Sequence, residues 1–195
     1  MKEMVTVSIN LQKGQKIDLT KASDRLQQVM VGLSWDEAPG ASIDCDASVI
    51  LCGADGKLLN DSIGSVVYFK NLNWNDAVIH QGDNRTGSAD EDAERIMVDL
   101  AKVPVSVCKI VFVVNIYDAK AKSQHFGMIE NAFIRIVNLK TGAEVCRYDL
   151  SEDYSGMTGM IAGELVRENG GWLFHALGEP VKDASRLSAI VALYR

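Results

Sequence analysis

Residues 160–177 read MIAGELVRENGGWLFHAL and carry the strongest sequence signal for the fold class. Two runs rich in apolar residues, 160–167 and 172–177, flank the segment Glu168-Asn169-Gly170-Gly171. An Asn-Gly pair between two such runs is a strong signal for a two-residue hairpin turn, because both residues tolerate the positive φ that this turn requires. The stretch therefore predicts two adjacent antiparallel strands joined by a tight turn.

Similar short runs lie on the N-terminal side of this hairpin, and turn signals separate many of them. They are apolar or alternate between apolar and polar residues, which is typical of strands. The further strands predicted in this way are residues 5–11, 26–33, 47–52, 65–69, 77–80, 110–117, 131–138 and 144–150, while 96–100 is ambiguous. Since no helices alternate with these strands, the pattern favours an antiparallel β-sandwich over a parallel sheet.

Only the C-terminal tail has a clear helical pattern. Leu187, Ile190, Val191 and Tyr194 follow the spacing i, i+3, i+4, i+7 of one helix face. No change of composition marks a linker, and 195 residues fit one domain. The predicted fold is an all-β protein: one antiparallel β-sandwich of two sheets over residues 1–195, with a short C-terminal helix.

The net charge of −6 is unevenly distributed. Residues 26–56 contain five acidic side chains and no Lys or Arg, and residues 83–94 contain five acidic side chains and one Arg. These two segments carry a net charge of −9, so the rest of the chain is slightly basic. Such a balance argues against nucleic acid as a partner, because phosphate binding requires clusters of Lys and Arg.

The two acidic segments suggest a cation site. Asp44 and Asp46 are two residues apart, so an extended chain projects both carboxylates to the same side. Residues 83–94 are rich in Gly, Ser and acidic side chains and read as a loop. Calcium takes 6–8 oxygen ligands at about 2.3–2.6 Å, and two acidic loops at one end of a sandwich would supply such ligands.

Two alternatives to that site follow from the same residues. The acidic segments could be solvated loops without a ligand, and this alternative stays open. An EF-hand that starts at Asp83 would place Glu94 at the last loop position, as required. However, Arg85 and Ser88 occupy the third and sixth positions, where a ligand and a glycine are expected, so the sequence argues against an EF-hand.

The sequence predicts a cytoplasmic protein without direct membrane insertion. Residues 1–6 show no apolar signal-peptide core, and apolar runs such as 110–114 are far shorter than a membrane span. The four cysteines are Cys45, Cys52, Cys108 and Cys146; none belongs to a CxxC pair, which favours reduced, structural thiols.

Several motifs together resemble the TerD family of tellurium-resistance and stress-response proteins. They occur in order and extend over nearly the whole chain, so that their combination is specific although each alone is weak. The motifs are VGLSWD (31–36), DCDASV (44–49), VYFKNL (67–72), VIHQGDNRTG (78–87), FGMIENAFIRI (126–136), RYDLSED (147–153) and GEL (163–165).

The resemblance implies a cytoplasmic β-sandwich that binds Ca²⁺ through acidic loops. It also implies protein partners in a membrane-associated complex that protects bacteria against tellurite and other stresses. Matching the motifs residue by residue gives the implied calcium ligands: Asp44, Asp46, Asp83, Asn84, Asp90, Glu91 and Asp92, with Asp36 and Asp118 as additional carboxylates and Thr86 and Gly87 as carbonyl donors.

The chain departs from the family pattern at three places. Cys45 and Arg85 stand where the family usually has Leu, and residues 88–89 contain less glycine than expected. Arg85 places a positive charge beside the predicted site, where it would weaken calcium binding or pair with an acidic side chain. The tail 178–195 also lacks the expected glycine-rich ending, so the resemblance implies no function for the tail.

Catalytic motifs are sparse, and the sequence predicts a binding protein rather than an enzyme. His80, His125 and His175 are far apart, and neither a nucleophile elbow nor a phosphate-binding glycine loop is present. Three hypotheses remain: a calcium-binding scaffold or sensor, a small-ligand binder for a nucleotide or oxyanion, and a metal-dependent hydrolase. Calcium titration and ligand screening with and without calcium distinguish the first two, and activity on generic phosphoester or ester substrates would indicate the third.

Overall fold

The computed structural model describes residues 8–20, 26–37, 42–82, 92–150 and 152–195. These residues form thirteen strands, two short α-helices and a few single 3₁₀ turns. The strands are β1 (Ile9–Leu11), β2 (Lys16–Asp18), β3 (Gln28–Glu37), β4 (Cys45–Cys52), β5 (Val66–Val67), β6 (Asn73–Trp74), β7 (Val78–His80), β8 (Glu94–Asp99), β9 (Lys109–Ile116), β10 (Ile129–Asn138), β11 (Glu144–Asp149), β12 (Gly159–Glu168) and β13 (Gly171–Val181). The helices are α1 (Ala119–Lys122) and α2 (Leu187–Val191).

The strands form two sheets, as the sequence predicts. The first sheet has the order β1-β11-β10-β3-β8-β7-β6, and the second has the order β2-β13-β12-β9-β4-β5. All described strand pairs are antiparallel except β1 and β11, which are parallel. The ambiguous residues 96–100 belong to strand β8, and residues 65–69 form only the two-residue strand β5 because the chain turns back between Tyr68 and Asn71.

The hairpin of residues 160–177 is confirmed. Glu168 pairs with Gly171, which leaves Asn169 and Gly170 as a two-residue turn with φ values of 50° and 77°. Positive φ at both positions is the conformation that the Asn-Gly signal favours, and its twist matches that of the flanking strands. The turn thereby fixes the register of the two longest strands of the second sheet.

The apolar run of β9 is continuous because both faces of this strand are buried. Ile110, Phe112 and Val114 point into the core between the sheets, whereas Val111 and Val113 point outward. The outward residues pack with α2 and the turn after it, including Ile190 and Val191. The predicted C-terminal helix is therefore confirmed, and its apolar face covers the outer face of the second sheet.

The four cysteines are free thiols, and three of them are buried. Burial raises the pKa of Cys52 and of Cys146 to about 12. At pH 8 a thiol with such a pKa is a thiolate in about one molecule in ten thousand, and the thiolate is the reactive form. Cys108 is only half-buried.

We therefore expect one fast-reacting thiol per native chain when the protein is treated with a disulfide reagent at pH 8. Because Cys108 is the accessible thiol, the Cys108→Ser variant should lose this reaction, whereas unfolding in guanidinium should expose all remaining thiols. Rapid labelling of two or more thiols in the native protein would contradict this assignment.

Candidate functional site

The described candidate ligands lie at one end of the sandwich. Asp36 is at the carboxyl end of β3, and Asp44 and Asp46 are at the amino end of β4. Asp92 precedes β8, which is antiparallel to β3, and Asp118 follows β9, which is antiparallel to β4. The antiparallel pairing brings these strand ends together. Asp83, Asn84, Thr86, Gly87, Asp90 and Glu91 lie outside the described residues.

Asp92 is held by an arginine on the outer face of the first sheet. Its Oδ1 and Oδ2 accept hydrogen bonds from Nε and Nη2 of Arg135, at 2.7 and 2.8 Å. The carboxylate of Asp92 is fully buried, and Nη1 of Arg135 also donates to Glu144 at 3.1 Å. The hydrogen bond to Asp92 raises the pKa of the Arg135 guanidinium. This bidentate geometry is the strong form of a carboxylate–guanidinium pair.

Gly32 provides the space for this ion pair. It lies in β3 between Arg135 of β10 and Arg95 of β8, and a methyl group at Gly32 would overlap the Asp92 carboxylate. A glycine inside a strand often marks such a close approach. Arg95 Nε lies 3.8 Å from Asp92 Oδ2, so two arginines flank the buried carboxylate.

Asp36 is also on the outer face of the first sheet. Its Oδ2 accepts a hydrogen bond of 2.8 Å from the Asn131 side chain, and Asn131 lies at a bulge in β10 with a φ of 50°. One of the two carboxylate oxygens of Asp36 is thus engaged by a neighbouring strand.

Three candidate ligands lie on or beside the second sheet. Asp46 is in β4, Asp44 directly precedes β4, and Asp118 follows β9. The carbonyl of Asp44 accepts a hydrogen bond of 2.7 Å from the backbone of Tyr117, which places Asp44 beside the Tyr117-Asp118 segment. Asp46 pairs with Asn115 across the β4–β9 ladder and is half-buried. Asp118 has a left-handed backbone (φ 55°) and begins α1. Within the described ranges, neither Asp44 nor Asp118 forms an ion pair with a basic side chain.

His80 connects the two acidic segments, and no sequence signal indicates this role beyond the position of His80 before residue 83. Its Nε2 lies 3.1 Å from the carbonyl of Ala47 and 3.2 Å from Glu94 Oε2. Its Nδ1 accepts a hydrogen bond from the backbone of Gly82, so the proton of a neutral imidazole is on Nε2. His80 and Glu94 are both almost completely buried. The last residue of β7 therefore contacts β4 directly after Asp46.

The described residues do not complete a metal site by themselves. No group of three or more His, Cys, Asp and Glu side chains that could hold a metal ion is found among them. Asp92 and Asp36 face outward from the first sheet, whereas Asp46 faces outward from the second, so these carboxylates do not converge.

The sequence model of the TerD domain matches residues 7–194. The chain belongs to the TerD family. The resemblance that its motifs carry is thereby confirmed over almost the whole length of the chain.

Similar TerD family members are named for stress and tellurium resistance. The chain is 47% identical to general stress protein 16U of Bacillus subtilis, over 88% of this chain and 90% of that protein. It is 44% identical to tellurium resistance protein TerD of Serratia marcescens, over 96% of this chain and 97% of that protein. None of these names refers to a chemical reaction.

The fold agrees with that of a solved TerD homologue. The crystal structure of a homologue of the telluride resistance protein TerD from Streptomyces coelicolor has a TM-score of 0.64, with 20% identity, over 81% of this chain and 92% of that chain. At this identity the likeness concerns the fold alone. In the part of this TerD family member that the structure describes, no helix is long and apolar enough to cross a membrane.

Proposed function

We propose that this protein is a cytoplasmic calcium-binding stress-response protein, which contributes to resistance against tellurite and other chemical stresses as a scaffold or sensor. The names of the relatives support the stress-response role. The protein partners in a membrane-associated complex, which the family resemblance implies, stay a prediction. Among the described residues, no observation favours the hydrolase alternative.

The observation that carries the calcium proposal is the contact between His80 and Ala47. Residues 83–91 begin three residues after His80, and Ala47 directly follows Asp46. His80 therefore links the two acidic segments, since its Nε2 lies 3.1 Å from Ala47 in the first and 3.2 Å from Glu94 at the end of the second. Acidic segments that meet in this way repel each other unless a cation neutralises them.

The donor chemistry of the described residues fits calcium in part. Asp44, Asp46 and Asp118 offer carboxylate oxygens, which hard cations prefer. Because no complete cluster exists within the described ranges, the remaining ligands of the proposed site are those predicted in residues 83–91, with Asp83 and Asn84 as the main candidates. Bound calcium would supply the positive charge that offsets the repulsion between the two segments.

In this proposal the protein's own residues position the site. His80 fixes the end of β7, and the β4–β9 ladder fixes Asp44 and Asp46 relative to the Tyr117-Asp118 segment. We assign Asp92 a structural role, because its two oxygens are bound to Arg135. Calcium bound between the acidic segments would create a surface that a partner protein can recognise.

Calcium is expected to stabilise the protein. At a concentration of one hundred times Kd, a ligand of the native state adds about 2.7 kcal/mol to the free energy of unfolding. For a chain of this size that corresponds to a rise in Tm of about 5–10 °C relative to protein in EDTA. Isothermal titration calorimetry and thermal melts measure the affinity and the shift.

Asp44→Asn, Asp46→Asn and Asp83→Asn should each weaken calcium binding at least tenfold. Asp55→Asn is the matched control, because Asp55 is an exposed aspartate in the turn at the opposite end of β4 and should bind calcium as the native protein does. The proposal fails if the native protein shows neither heat nor a thermal shift with calcium, or if all four variants bind alike.

A further inference from the structure

A cavity of about 360 Å³ lies on the outer face of the second sheet, beneath the start of α2. Two of its lining side chains are buried and polar: Ser48 of β4 is 1% exposed, and Asn115 of β9 is 2% exposed. Within the described part of the chain, Ser48 Oγ and Asn115 Oδ1 have no hydrogen-bond partner. Buried polar atoms in native proteins are nearly always hydrogen-bonded, so such a pair in a cavity indicates a missing partner.

The same cavity contains two cationic side chains. Lys70 follows β5, and Arg186 directly precedes α2. Neither forms an ion pair with an acidic side chain among the residues that the structure describes, and the ammonium of Lys70 only approaches the Phe69 ring at 5.4 Å. Arg and Lys side chains without acidic partners are typical recognition groups for carboxylate and phosphate.

Apolar surface completes the cavity. Phe69 and Ile63 are 43% and 55% exposed, which is high for large apolar side chains, and Leu187 and Val191 contribute the apolar face of α2. Asp46 lines the cavity as well, so one negative charge is opposed by two positive charges. A cavity of this volume that combines apolar walls with a few polar groups is of the kind that binds small organic molecules.

We infer that this cavity binds a small organic anion with an apolar or aromatic body and a hydrogen-bond donor, such as a hydroxy acid. Its carboxylate or phosphate lies between Lys70 and Arg186, its donor group reaches Asn115 Oδ1 and Ser48 Oγ, and its body packs on Phe69 and Val191. This site borders the proposed calcium site, because Asp46 lines the cavity and is also a proposed calcium ligand, but it uses cationic side chains and requires no metal.

Three probes of similar shape test each part of this assignment. Mandelate has a phenyl ring, a hydroxyl group and a carboxylate; phenylacetate lacks the hydroxyl group, and 1-phenyl-1,2-ethanediol lacks the charge. Amide NMR titrations of the full chain in EDTA, with assigned signals around Ser48, Asn115 and Arg186, give the affinities. We expect mandelate to bind with a Kd of about 1 mM or tighter, as is usual for ligands of this size.

We expect each probe to bind more weakly than mandelate according to the group that it lacks. Phenylacetate should bind about threefold to tenfold more weakly than mandelate, and the uncharged diol at least tenfold more weakly. The Ser48→Ala variant should reduce the preference for mandelate over phenylacetate. Phenyl phosphate, titrated in parallel, shows whether phosphate or carboxylate is the better anionic group.

Charge variants of exposed residues test the role of the cations without disturbing the core. Lys70→Gln and Arg186→Gln should each weaken mandelate binding about fivefold, and the double variant should abolish it. Lys140 is an exposed lysine in the β10–β11 turn, so Lys140→Gln should have no effect. The inference is wrong if neither anion shifts these signals, if the diol binds as well as mandelate, or if Lys70→Gln and Lys140→Gln behave alike. Because calcium is absent, these outcomes are independent of the calcium proposal.

Discussion

The Asp92→Ala variant is expected to lose about 3 kcal/mol of stability, whether or not calcium is present. The change removes the partner of Arg135 and leaves that guanidinium without its bidentate hydrogen bonds of 2.7 and 2.8 Å. Breaking a buried ion pair from one side is costly, and Glu144, which accepts a hydrogen bond of 3.1 Å from Arg135 Nη1, compensates the remaining charge only in part. Arg135 is partly exposed, which places the loss at the lower end of the range for buried pairs. Denaturant unfolding in EDTA and in calcium measures it.

The double variant Asp92→Ala/Arg135→Met distinguishes the ion pair from a metal ligand. If the two side chains stabilise the protein through each other, the double variant should lose clearly less stability than the sum of the single variants. A calcium ligand would behave differently, since its removal would lower stability only when calcium is bound. A loss confined to calcium-containing buffer would therefore refute the structural role of Asp92.

Most of the fold follows from local sequence signals. The Asn169-Gly170 pair fixes a turn whose φ values the residues themselves favour, and the outward and inward residues of β9 both find apolar partners. Edge strands are harder to predict. The two-residue strand β5 and the parallel pairing of β1 with β11 depend on contacts between residues far apart in the sequence, and no local pattern specifies them.

The candidate site was predictable as a region but not as a set of ligands. The antiparallel order brings the acidic strand ends together, as two acidic loops of a sandwich predict. The acids themselves then separate, because Asp46 and Asp92 belong to different sheets and each faces outward from its own sheet. The one signal for the Asp92–Arg135 pair is Gly32, a glycine inside a strand, which indicates a close approach without naming what approaches.

His80 shows why the link between the segments could not be predicted. A single histidine beside an apolar run has no spacing that identifies its partners, and Ala47 and Glu94 lie 33 and 14 positions away in the sequence. Only the packing of β7 against β4 brings the imidazole to the carbonyl of Ala47. The motif that contains His80 resembles the family motif, but the motif does not reveal which atoms the ring contacts.

Replacing His80 by alanine is expected to cost about 3 kcal/mol and to weaken calcium binding at the same time. The change removes Nε2, which lies 3.1 Å from the carbonyl of Ala47 and 3.2 Å from Glu94 Oε2. The Glu94 carboxylate, which is 1% exposed, thereby loses one partner. The change also removes the acceptor of the N–H of Gly82, which directly precedes the second acidic segment. Thermal melts and calcium calorimetry measure both effects.

His80→Gln and His175→Gln provide the controls for this prediction. At position 80, the amide nitrogen of glutamine can take the place of Nε2 and still donate to Ala47, but no acceptor atom then stands at the position of Nδ1 for the Gly82 N–H, so about half of the loss should remain. His175 lies 3.2 Å from Glu164, a distance like that of the His80–Glu94 pair, yet Lys109 also contacts Glu164 at 3.0 Å. His175→Gln should therefore cost at most about 1 kcal/mol and leave calcium binding unchanged. If His80→Ala destabilises the protein but binds calcium like the native chain, His80 supports the core alone, and the two acidic segments do not depend on it for their alignment.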